Sequence, residues 1–145
     1  MRVLVLAVVI VVVFSIVSQM LTNAPPKVQV KECFLASDTV QAGGQTSISI
    51  DLQSNDAQNA HSIRTELSSH YLVRFSIGLQ ELQKNGTIWY YQETLESKAE
   101  HKNLLNVRPT LDSGISRITY RINVVVYMDN SQIFTKNLDL VVQLP

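Results

Sequence analysis

Arg117-Ile118-Thr119-Tyr120-Arg121-Ile122-Asn123-Val124-Val125-Val126 decides the fold. Ile118, Tyr120, Ile122, Val124 and Val126 recur at every second position, and Arg117, Thr119, Arg121 and Asn123 stand between them. A period of two sends alternate side chains to opposite faces of a strand, so this is a strand with one buried face. Downstream, Met128-Asp129-Asn130-Ser131 predicts a turn. The last strand, Ile133 to Leu144, then puts Leu138, Leu140, Val142 and Leu144 on one face and Asn137, Asp139 and Gln143 on the other. Upstream, Asp112-Ser113-Gly114 reads as a turn and Asn103 to Val107 as a short strand ended by Pro109.

The same alternation recurs towards the N-terminus. Tyr71 to Leu79 places Tyr71, Val73, Phe75, Ile77 and Leu79 on one face. Lys84-Asn85-Gly86-Thr87 contains the Asn-Gly pair of tight hairpins, in which both central residues need positive φ. The return strand runs from Ile88 to Leu95, and the charged stretch Glu96 to Lys102 reads as a loop. Ile48, Ile50 and Leu52 point inward from the strand that follows the Ala42-Gly43-Gly44 turn. Val28, Val30 and Cys33-Phe34-Leu35 give a first strand with an irregularity near Glu32. Gln53 through His61 is a polar loop, and Ser62 to Leu67 fits either a weak strand or a connecting turn. About seven such strands pack as two antiparallel sheets face to face, a mainly β, immunoglobulin-like sandwich. A closed barrel is the alternative.

One segment has a different character. Val3 to Val17 is apolar except for Ser15, and with Ser18 to Leu21 it reaches the roughly 20 residues that a helix needs to cross a bilayer. Val3, Leu4, Leu6, Val9, Ile10, Val13, Phe14 and Val17 are the expected membrane-anchor residues. Valine is a poor helix former in water, but in lipid the cost of unpaired backbone groups forces a helix. A cleaved signal peptide has a shorter apolar region, about 7–15 residues, and a small-residue cleavage site. The best such site here, Thr22-Asn23-Ala24, is followed by Pro25, a poor residue to cut before. The expected organisation is a retained signal anchor over 1–23, a stiff Pro25-Pro26 spacer over 24–27 and an extracytoplasmic β-sandwich over 28–145. Arg2 and the α-amino group orient the N-terminus to the cytoplasm, which makes this a single-pass protein of the cell membrane with membrane lipid as one partner. Ala7, Ser15 and Ser18 are the small residues available for helix contacts, without a Gly-x₃-Gly pattern.

Composition narrows the function. The formal net charge is zero and the basic residues are dispersed, so no nucleic-acid partner and no polybasic lipid patch is expected. The one cysteine, Cys33, has no internal partner and reads as a small buried hydrophobe of the first strand. His61, His70 and His101 fall in expected loops or strand edges without metal-ligand spacing, and read as solvated. No nucleophile motif and no phosphate-binding glycine loop is present, so the expectation is a protein without cofactor or metal that is not an enzyme. Trp89-Tyr90-Tyr91 is the most informative site outside the anchor: Trp89 and Tyr91 share one face and Tyr90 takes the other, which leaves aromatic surface for a partner unless the first two are core. Asn85-Gly86-Thr87 matches the N-glycosylation sequon, which makes Asn85 a candidate acceptor, although turn chemistry alone explains the Asn-Gly pair.

Asp38-Thr39-Val40-Gln41-Ala42-Gly43-Gly44-Gln45, the alternating Ile48-Ile50-Leu52 and then Ser54-Asn55-Asp56 resemble the opening of immunoglobulin-like modules of prokaryotic envelopes, including CARDB-type domains. Tyr120 to Val142, around Asp129-Asn130, resembles their closing hairpin. The layout of one N-terminal anchor and one disulfide-free sandwich is similar to archaellar stator proteins and accessory subunits of archaeal membrane complexes. That resemblance implies a non-catalytic accessory or scaffold subunit whose ectodomain braces other membrane or envelope proteins in a hetero-complex, a homo-oligomer being compatible with it. Two alternatives belong to other classes. A pilin- or archaellin-like filament subunit would carry a basic leader cut just before the helix, where this sequence has Met1-Arg2. An envelope ligand- or glycan-binding module would use Trp89 and Tyr90 as a platform.

Overall fold

The computed structural model describes residues 25–145. The expected anchor, its residues Val3 to Val17, the orientation drawn from Arg2 and Ala24 of the spacer lie outside them. Among the described residues no helix is long and apolar enough to cross a membrane.

Among the described residues eleven strands follow one another: β1 Val28–Leu35, β2 Thr39–Gln41, β3 Thr46–Ser54, β4 His61–Ser68, β5 Val73–Ile77, β6 Gln80–Glu81, β7 Gln83–Asn85, β8 Ile88–Leu95, β9 Glu100–Pro109, β10 Arg117–Met128 and β11 Ser131–Gln143. They form a five-stranded sheet, β1-β3-β9-β5-β6, and a six-stranded sheet, β2-β11-β10-β4-β8-β7. The short β2 runs parallel to β11. The two inner faces meet in one core that includes Ile48, Ile50, Leu52, Ile63, Leu67, Phe75, Leu105, Ile122 and Leu140, all almost wholly buried. Burying each such side chain contributes about 1.5–3 kcal/mol. This is the face-to-face sandwich that the period-two pattern calls for.

β10 buries Tyr120, Ile122, Val124 and Val126 and half-buries Ile118, as its alternation requires. Tyr120 satisfies its hydroxyl by donating to the Thr110 carbonyl at 2.8 Å. The irregularity in β1 is a bulge at Lys31: Val30 pairs with Leu52 and Glu32 with the next residue, Asp51. Cys33 is buried in β1 with a free thiol, which its burial holds above the ordinary value.

Several local expectations need correction. Ser62 to Leu67 is neither weak nor a turn: β4 is a central strand, paired with β10 on one side and β8 on the other. Its inward residues are His61, Ile63, Thr65 and Leu67, so half of its buried stripe is polar and the apolar period is concealed. Glu100 to Lys102 belongs to β9, where pairing with Gln53 to Asp51 overrides local charge. Tyr71, Ile77 and Leu79 do not join Val73 and Phe75 inside, because the strand is short and Tyr71 and Leu79 lie in the turns at its ends. Leu144 is exposed beyond the end of β11.

The hairpins exchange their expected chemistry. Asn85 pairs with Ile88, so Gly86 and Thr87 are the central residues, and only Gly86 has positive φ, at 62°. That is the II′ pattern, with glycine first. The I′ pattern occurs at β10–β11 instead, where Asp129 (48°) and Asn130 (68°) both adopt positive φ.

Candidate functional site

Three places on the sandwich concentrate chemistry. The first is β8. Trp89 is buried against Phe75, edge to face with ring centroids 5.9 Å apart, and Lys84 Nζ lies 4.9 Å from its ring centroid. Tyr91 packs half-buried against the core, its hydroxyl without a hydrogen-bond partner in the described residues, and burial pushes its phenol well above the ordinary value. Tyr90 turns outward beneath the Arg64 guanidinium, 4.0 Å from the ring centroid, and Arg64 also donates to Glu66 at 2.9 Å. The aromatic run is thus divided between core and a surface already capped by Arg64. Beside it, Ile77, Gln80, Leu82 and Gln83 form with Tyr90 and Tyr91 a shallow groove of about 410 Å³. Further along β8, Glu93 accepts from Asn103 at 3.0 Å and sits 3.1 Å from His101 Nδ1. Asn85, at the end of β7, is exposed together with Gly86 and Thr87.

The second place is the end of the sandwich where the chain enters β1. His61 is not a solvated loop histidine: it opens β4 and is 6% exposed. Its Nδ1 lies 2.6 Å from Asp129 Oδ2 and its Nε2 lies 2.9 Å from Asp56 Oδ2. A neutral imidazole has one N–H and would turn a lone pair toward one carboxylate, so this geometry calls for the imidazolium, a donor at both nitrogens. The two carboxylates raise the His61 pKa, Asp129 more than Asp56. Asp56 is held far below the usual carboxylate range, first by the Gln58 N–H, then by His61 and the Asn59 N–H. Asp129 is lowered by His61 and by the Ser62 N–H, which it accepts at 3.0 Å.

This clamp gathers three turns. Lys98 donates its N–H to the Asp56 carbonyl at 3.0 Å, and Asn55 donates its N–H to the Lys27 carbonyl at 2.7 Å and its amide to Pro26 at 3.1 Å. Only the five-residue Asp56–His61 spacing was local enough to notice; Asp129 lies 68 residues away and is brought in by β10. Among the described residues no group of His, Cys, Asp and Glu is arranged to hold a metal.

The third place is the outer face of β1-β3-β9. Phe34 and Leu104 are 43% and 58% exposed there, flanking Ser49 on the middle strand.

No family model and no curated protein matches the chain. Solved structures do. The chain is similar to a CARDB domain from Pyrococcus furiosus solved in complex with di-metal ions, at 16% identity and TM-score 0.55, covering 85% of this chain and all of that one. It is also similar to the Bacillus subtilis sporulation control protein, at 14% identity and TM-score 0.50, over 83% of this chain and 51% of that one. A third is the alkylpurine DNA glycosylase of Pseudomonas fluorescens bound to DNA with an abasic site analog, at 12% identity and TM-score 0.50, over 79% of this chain and 30% of that one. The chain therefore spans a third to a half of the two larger proteins and the whole of the CARDB domain. At these identities the likeness is one of fold, an immunoglobulin-like β-sandwich.

Proposed function

We propose that this chain is a non-catalytic, single-pass membrane accessory or scaffold subunit, with its sandwich displayed outside the membrane to brace partner proteins of a membrane or envelope complex. The observation that carries this reading is how the chain enters the sandwich. Val28 begins β1 immediately after the Pro25-Pro26-Lys27 spacer, and Asn55 hydrogen-bonds both Pro26 and Lys27. In the sequence, the apolar stretch of bilayer length ends only a few residues before this entry into the domain. The end of the domain at this entry consists of the polar turns Asn55–Ala60, Glu96–Ala99 and Asp129–Asn130, suited to rest against headgroups without entering hydrocarbon. Archaeal origin belongs to the same proposal, since it rests on architecture alone.

Alkaline carbonate extraction of membranes carrying the full chain tests the anchoring. The chain is expected to stay in the membrane pellet and to be released only by detergent. Release by carbonate would overturn the reading.

A further inference from the structure

The outer faces of the two sheets differ. On the six-stranded sheet the polar groups satisfy one another: Arg121 with Asp139 at 3.1 Å, Asn123 with Asn137 at 2.9 Å, Arg64 with Glu66 and Tyr90. On the five-stranded sheet polar groups also pair, Gln29 with Gln53 at 3.0 Å and Gln45 with Asn106 at 3.0 Å and with Arg108 at 2.9 Å, but the middle of the β1-β3-β9 face is left open. Phe34 and Leu104 stand exposed on either side of Ser49, whose hydroxyl is buried without a hydrogen-bond partner, and the neighbouring Asp51 Oδ1 is in the same condition.

The register gives this face a symmetry. Phe34 pairs with Ser49 and Ser49 with Leu104; Glu32 pairs with Asp51 and Asp51 with Lys102. At the bulge Lys31 reaches across to Glu100 at 3.5 Å. With β3 as the midline, each level carries complementary groups on its two flanks: apolar opposite apolar, Glu32 opposite Lys102, Lys31 opposite Glu100. A two-fold axis lying along β3 exchanges β1 with the partner's β9, so every one of these groups meets its complement.

We infer that this face binds a second copy of the same chain, side by side and pointing the same way, with Phe34 on Leu104 and Glu32 on Lys102 across the contact. The alternative stacking, with the axis across the strands, lays β1 on β1 and β9 on β9: centred on Ser49 it stacks the apolar residues and leaves the charges unmatched, and centred on Leu52 it brings Lys102 to Glu100 and Glu32 to Lys31 but leaves Phe34 and Leu104 unmatched. The parallel sense leaves both N-termini at the same end, in agreement with anchoring of both in one membrane, although it is the apolar and charge patterns together that select it. Two tethered copies meet at high effective concentration, so a small contact suffices. The one unfavourable feature is Asp51, which faces its own copy near the axis.

The test uses the full chain in phospholipid vesicles, with two differently tagged copies co-expressed, one carrying Phe34→Cys and the other Leu104→Cys. Within one chain these positions lie two strand spacings apart, about 10 Å, beyond disulfide reach. The native Cys33 is buried, so the unmodified chain is the control. Mild oxidation is expected to give a mixed-tag dimer from the pair and little from either variant alone. Glu32→Lys or Lys102→Glu, carried by both copies, is expected to lower the yield several-fold, and E32K/K102E together to restore it, a rescue that misfolding cannot mimic. Asp51→Asn is expected to raise the yield. Self-bridging of Phe34→Cys as efficient as the mixed pair would overturn the parallel contact. Absence of dimer in every combination, or no rescue by the charge exchange, would overturn the surface altogether. Carbonate extraction of the same vesicles reports anchoring independently, so the two failures are told apart.

Discussion

His61 shows how much a single side chain can decide at one end of this sandwich. Because both ring nitrogens face carboxylates, it is expected to carry its proton at neutral pH and to titrate above the ordinary histidine value of 6.5, as followed by ¹⁵N chemical shifts of the ring. Titration at or below 6.5 would mean that the clamp is not formed. The sign of its effect on stability follows by linkage: a raised folded pKa contributes stability present in full below the unfolded value and lost as pH rises through the folded one. Asp56 and Asp129 act in the opposite sense, since their lowered pKa values contribute stability that is present above the ordinary 3.8 and is lost as the pH falls through the folded values. Lys27, a nearby cation, acts in the same direction on Asp129. Denaturant midpoints measured across pH are therefore expected to be highest between the ordinary values of 3.8 and 6.5 and to fall on either side, with the fall above 6.5 absent in His61→Gln. The core behaves more simply: Ile122→Ala is expected to cost about 2–5 kcal/mol by denaturant unfolding, as a cavity in a packed interior does.

At the scale of elements, turns carry the sharpest expectations. Gly86→Ala places a Cβ at φ +62°, where the II′ turn needs glycine, so it should destabilise by about 1 kcal/mol or more. Gly44 is different: its φ is ordinary, but an added Cβ would stand 2.9 Å from the Gln41 carbonyl. Gly44→Ala is therefore expected to loosen β2 from β11, read as faster amide exchange at the Ala42 N–H, which donates to Gln143. An unchanged rate at that amide would show that β2 yields at no cost. Strands such as β3, β10 and β11 were legible in the sequence because each carries at least three consecutive apolar residues at its inward positions. β4 was not, because His61 and Thr65 occupy two of its four inward positions. Nor was the start of β9, whose Glu100-His101-Lys102 is held extended by β3. The Asn-Gly signal found the right hairpin and the wrong turn, since register, set by strands on both sides, placed Gly86 and not Asn85 first.

For the whole molecule, the immunoglobulin-like sandwich was legible from alternation and turn spacing, and its likeness to a CARDB domain is one of fold. The functional surfaces were harder to foresee. Trp89-Tyr90-Tyr91 drew notice as an aromatic cluster, yet strand parity sends Trp89 inward and Arg64 covers Tyr90. The histidine clamp and the Phe34–Leu104 face each join residues about 70 apart in sequence, which only the pairing of strands can bring together. The architecture that emerges is a rigid block entered from its polar end, with one outer face satisfied and the other open to its own copy. The most direct measurement is gentle detergent extraction of native membranes, followed by size separation and mass spectrometry of what travels with the intact chain. An accessory subunit is expected to co-migrate at fixed stoichiometry with polytopic membrane proteins, two copies to each assembly. A chain that migrates alone, as a monomer or a homodimer with nothing bound, would contradict that role.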